Sequence, residues 1–205
     1  MRTTTSRTGA LFLAAGALTA LALTLPLWEF RMSAPQYPDE ALHVRVLRTG
    51  LAGDLQEVET LQKFVGVSFP TSLPELELVT PVLLVMAAVF VLAGLAGVGR
   101  VGRAVRIAAT VALLGVLAFA LIAVQARLYT VGHDRDPEAP MARMKDFTPP
   151  AIGPASVGNF TVWSYPHLGG LALALAAGLA VAGTRRSFPP RSGAPVGSRV
   201  LEVLL

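Results

Sequence analysis

The chain contains no cysteine, which excludes disulfides, thiolate metal sites, iron–sulfur clusters and thiol redox chemistry together. Any metal must therefore be held by His, Met, Asp, Glu or backbone oxygen. Charge is scarce as well: 15% of the 205 residues are Asp, Glu, Lys or Arg, against 53% hydrophobic residues and a mean hydropathy of +0.59. That balance is foreign to an ordinary soluble domain. Ionisable side chains are also missing from the middle of the four long apolar runs, residues 10–28, 81–98, 107–124 and 168–182. Proton relays and ion pathways place such groups at mid-membrane, so their absence argues against a pump or an ion-coupled transporter. Haem between spans would want a His there, and none exists.

What is present is length of run. A hydrocarbon core of roughly 30 Å needs about 20 apolar residues in helical form, and the four runs match that requirement. The expected fold is an all-α integral membrane protein with four transmembrane helices and a small mixed extracytoplasmic subdomain formed by two long loops. Residues 1–28 are read as the N-terminus and first helix, 29–80 as the first loop and 81–98 as the second helix. A turn at 99–106, a third helix at 107–124, the second loop at 125–167, a fourth helix at 168–184 and a tail at 185–205 complete the division. Nine arginines and one acid, Glu202, occupy the N-terminus, the turn and the tail, while the other twelve acids lie in the long loops beside eight Lys or Arg. Short basic connections mark the cytoplasmic side, which places both termini inside and both long loops outside. The net charge of +4 and pI near 10.1 thus orient the chain in membrane lipid rather than indicating a nucleic-acid partner. A cleavable signal peptide is the alternative for the first run; Trp28 and Phe30 as interfacial anchors, and Pro35 after Ser33 and Ala34, weigh against it.

The loops carry patterns of their own. Pro35 and Pro38 favour an extended segment leaving the membrane surface, and residues 42–47 alternate apolar and polar side chains as a half-buried strand does. Asp54 followed by Glu57 has the spacing of a helix N-terminus; Leu55, Val58, Leu61 and Val65 form one apolar stripe, and Gly66 supplies a stop. In the second loop, His133, Met141, Met144 and His167 form a donor set suited to Cu(I), with packing of the methionines and turn-capping by His133 as the plain alternative. Asp134 and Asp136, beside Arg135, are too few for calcium. Ser164 lacks the surroundings of a nucleophile elbow, so no catalytic residue is assigned.

Taken together, Trp28, the 34–38 segment Ala-Pro-Gln-Tyr-Pro, Gly53-Asp54-Leu55 with Val58, Phe64-Val65-Gly66, Pro74-Glu75-Leu76, Gly132-His133-Asp134 with Asp136-Pro137 and Ala139-Pro140, and Asn159-Phe160 resemble a family of four-span bacterial membrane proteins. That family is associated with gene clusters for nitrous oxide reductase and its copper-site maturation. The resemblance implies a bacterial plasma (inner) membrane location. Similar proteins carry Asn-His-Tyr-Ile-Gly-Met where this chain has Gln62 to Val67, so a His and a Met available as ligands there are absent here. His133 then stands first among single site residues and His43 second.

The function expected on these grounds is that of a non-enzymatic accessory or assembly protein whose outer loops dock an extracytoplasmic or membrane protein partner. No small-molecule substrate is indicated. Pro35, Gln36, Tyr37 and Pro38 are expected to pack with Gly132, His133 and Asp134 into one docking surface, their prolines lowering the entropy lost on ordering. No cofactor is required, copper being the one this donor set suits. A small structural or redox subunit holding copper on loop His and Met is the alternative.

Overall fold

A computed structural model describes residues 2–34, 37–67, 75–97, 99–141 and 145–188. In chain order the elements are α1 (Arg2–Ala22), β1 (Trp28–Ala34), β2 (Tyr37–Leu47), β3 (Gly50–Gly53) and α2 (Leu55–Val65), followed by α3 (Glu75–Leu95) and α4 (Arg100–His133). The strands β4 (Gly153–Val157) and β5 (Phe160–Pro166) and the helix α5 (Leu168–Arg186) complete them. Three helices are long and apolar enough to cross a membrane, over Glu77–Leu95, Arg100–His133 and Leu168–Arg186; the apolar part of α1, Arg7–Ala22, is shorter.

Small residues set the bundle. Gly9 of α1 faces the Gly94 carbonyl of α3, and one turn-pair later Gly16 faces the Ala87 carbonyl, so the two backbones approach where no Cβ intervenes. On the other side of α1, Gly183 of α5 leaves room for the ring of Phe12, which is fully buried and tilted against Phe90 at 6.1 Å between centroids. One basic residue joins this core. Arg106, read as part of a cytoplasmic turn, lies in the second turn of α4, only 3% exposed, and donates to the Ala93 and Ala96 carbonyls at 3.1 and 2.7 Å. It satisfies carbonyls that the end of α3 leaves without an intrahelical donor.

Outside the bundle the structure departs from the all-α expectation. The two long connections build a single five-stranded antiparallel sheet of order β3-β2-β1-β5-β4. The central strand β1 is flanked by β2 from the first loop and by β5 from the second, so neither loop could form this sheet alone. The first apolar run accordingly ends earlier than 28. Pro26 lacks an amide donor, the Leu27 amide is taken by the Val46 carbonyl, and Trp28 opens a strand instead of closing a helix. At the expected extended segment the described flanks, Ala34 of β1 and Tyr37 of β2, lie opposite each other in the antiparallel pair. Pro35, Gln36, Pro74, Met144 and the tail from 189 lie outside the described residues.

The strand expected at 42–47 lies within β2, and the expected amphipathic helix is α2. Gly66 ends it in the left-handed region with φ of 79°, its amide bonded to the Gln62 carbonyl. Asp54 stands at the N-cap position, but its carboxylate accepts from the His43 amide at 2.8 Å and ties the helix start to β2 instead of capping the helix. α4 runs well past residue 124. Its 34 residues amount to about 51 Å at 1.5 Å each, against roughly 30 Å of hydrocarbon, so it is longer than a span requires, and near its end Leu128 packs on the sheet.

Candidate functional site

The sheet has two faces of opposite chemistry. On the outer face Glu29 of β1 lies between Arg45 of β2 and Tyr165 of β5, one residue pair below the row His43, Arg31 and Trp163. Glu29 is only 5% exposed. The His43 Nδ1–H donates to its Oε1 at 2.7 Å, the Tyr165 hydroxyl donates to the same carboxylate, and His167 Nε2 lies 3.4 Å from Oε2. Arg45 Nε is 3.7 Å from Oε1. Burial by itself raises the Glu29 carboxyl, but the hydrogen bonds from His43 and Tyr165 and the charges of His167 and His43 outweigh it and hold the group below its ordinary 4.5. Tyr165 is moved the other way, upward, by burial and by the charge and hydrogen bond of Glu29, partly offset by Arg31 and Arg45. A carboxylate kept ionised, with two histidines and a phenol on it, makes a rigid proton-bearing knot where the sheet meets α5.

That knot is not arranged as a metal centre. His43 and His167 each meet a different oxygen of Glu29, and among the described residues no group of three or more His, Asp or Glu side chains is placed to hold a metal ion. Nor does a nucleophile meet a base at Ser164. This residue lies on the opposite face, where its Oγ accepts from the Trp28 indole at 2.8 Å and donates to the Ala151 carbonyl at 2.7 Å.

The inner face is apolar. Phe30, Val44, Val58 of α2 and Leu128 of α4 are buried together, with Trp28, Met32, Leu42 and Val46 packed around them. Trp28 and Phe30, expected as lipid anchors, therefore serve the sheet's own core. Between this face, α2 and the outer end of α4 lies a cavity of about 230 Å³.

The residues named from sequence fall into separate surroundings. His167 and His43 come together through Glu29. His133 stands at the last turn of α4, exposed, stacked on Tyr129 at 3.9 Å with Nδ1 2.9 Å from the Tyr129 carbonyl. Gly132 is buried, and a Cβ there would collide with the Phe147 carbonyl. The 132–140 segment is tied to the end of α2, through the Asp136 amide on the Gly66 carbonyl at 2.8 Å and the pairing of Val67 with Arg135. Asp134 and Met141 flank that connection, while Tyr37 and Pro38 lie at the start of β2. Sequence reasoning missed Glu29, Arg31, Arg45 and Tyr165. The signal for the first two was there, since residues 28–32 alternate apolar and charged side chains as a strand does, whereas Thr161 to Tyr165 show no such alternation.

Comparison with known proteins adds no identity: no family model and no curated protein matches this chain.

Proposed function

We propose that this chain is a non-enzymatic membrane accessory or assembly protein that presents its sheet to an extracytoplasmic protein partner. One observation carries the reading: the inner face of the sheet is covered by α2 and α4, while the outer face leaves Arg31, Arg45 and Trp163 exposed around the Glu29 knot. A flat, hydrogen-bonded surface rich in Arg and Trp is the composition in which binding energy concentrates at protein interfaces. The basic ends of the chain support placing that surface outside the cytoplasm. Motif resemblance supports a copper enzyme, or the factors that assemble its copper sites, as the partner, and the role is docking rather than metal transfer.

The test is affinity purification of the tagged full chain in mild detergent, with co-purifying proteins and metals identified together. Recovery of an extracytoplasmic copper enzyme or its maturation factors is expected, and R31A/R45A/W163A should lose them while the protein stays folded. Recovery that survives this triple change overturns the proposed surface, and stoichiometric copper on the chain itself would favour the metal-holding alternative.

A further inference from the structure

We propose that the cavity beneath the sheet holds one acyl chain of a membrane phospholipid. Its wall is hydrocarbon: Phe30, Val44, Val58, Leu128 and Val131 converge on it, and no Lys, Arg or His lines it among the described residues. Among the described residues the one hydroxyl in the wall, that of Ser164, is already engaged as donor and acceptor within the fold. The remaining polar wall side chains are those of α2: Gln56 and Glu59 are exposed at the edge, with Glu59 paired to Lys63 at 2.9 Å, and Gln62 is a single half-buried amide. A polar solute entering would lose its hydration without replacement, whereas a hydrocarbon chain loses nothing and gains burial.

Size selects among apolar ligands. About 230 Å³ exceeds the roughly 150 Å³ cavity that admits benzene and falls short of the roughly 300 Å³ at which drug-sized sites begin. A stretch of hydrocarbon chain is within that range, whereas a drug-sized apolar body is above it. Continuity selects the source. Val124, Leu128 and Val131 follow one another at helical spacing on α4, Val124 and Leu128 within the inner-face core and Leu128 and Val131 in the cavity wall. The same stripe continues down the helix through Leu121 and Leu114, which are exposed in its membrane-crossing part, whereas Phe119 lies on the opposite side. A chain rising from the bilayer along α4 thus stays on apolar surface until it is enclosed, with its head group left at the polar edge of α2. This inference is independent of the docking reading, which concerns the opposite face of the sheet.

The purified full chain in mild detergent is titrated with cis-parinaric acid, a fatty acid whose conjugated chain fluoresces when shielded from water. A saturable one-site increase is expected, displaced by lysophosphatidylcholine. V131F and L61F, which fill the cavity from two walls, should each weaken binding by about tenfold or more with an unchanged or higher Tm, and F119A on the exposed side of α4 should leave it unaltered. Emission that rises without saturation, or saturable binding indifferent to both filling variants, overturns the proposal. Displacement by oleate but not by lysophosphatidylcholine would overturn the phospholipid source.

Discussion

Glu29 and Phe30 are adjacent in the chain and occupy opposite sides of one sheet. Glu29 is buried only because His43, Tyr165 and His167 surround its carboxylate, and Phe30 is buried because Val44, Val58 and Leu128 exclude water from it. The first arrangement is directional and fails when one partner is lost; the second is additive and fails in proportion to the volume removed. One face is accordingly suited to specific recognition and the other to an apolar guest.

Breaking the inner face should cost most. F30A is expected to lower the unfolding free energy by about 3–5 kcal/mol, read by denaturant titration in mild detergent. An effect under about 1 kcal/mol would show that the cavity tolerates further emptying and that the inner face is not the sheet's anchor. On the outer face E29A leaves the His43 and Tyr165 donors without their acceptor and should cost about 1–3 kcal/mol, while E29Q retains an acceptor oxygen and should cost less.

The same carboxylate sharpens the comparison through pH. Because the folded-state pKa of Glu29 is depressed, its stabilisation is present above the unfolded value of 4.5 and is lost as pH falls through the lower folded value. Thermal unfolding followed downward from pH 6 should therefore show an acid limb in the wild type that is reduced in E29Q, whereas F30A should shift the whole curve without removing that limb. Identical acid limbs in wild type and E29Q would mean that Glu29 is not the group titrating.

At the junction of the two loops, G66A should cost about 1–2 kcal/mol, since φ of 79° disfavours a side chain and the added Cβ would lie 2.5 Å from that of Ala139. The smallest effect belongs to exposed residues: R31A and H133A should each change stability by less than about 0.5 kcal/mol. R31A is nevertheless expected to weaken partner recovery, and a large stability loss in R31A would make it a structural residue rather than a docking one.

Several features were legible before any tertiary contact was known. Hydropathy located the apolar helices that became α3, α4 and α5, alternation marked part of β2, and Asp54 and Gly66 bracketed α2. Each is a local property, carried by one stretch of chain and its own period. Helix ends were less legible. Nothing in the composition of residues 23–28 shows that the Val46 carbonyl will claim the Leu27 amide and draw Trp28 into a strand, and nothing near Arg106 shows that it will turn back to the carbonyls of α3.

The sequence by itself determined that apolar helices compatible with a membrane would alternate with long polar connections, because burial of a helix's whole surface in lipid depends only on what that surface is made of. Only the tertiary structure decided that β1 would join the two loops into one sheet, that Glu29 would gather residues 43, 165 and 167, and that the cavity would open on the other side. Strand pairing is fixed by register between segments more than a hundred residues apart, and a shift of one residue would have exchanged the two faces and everything they carry.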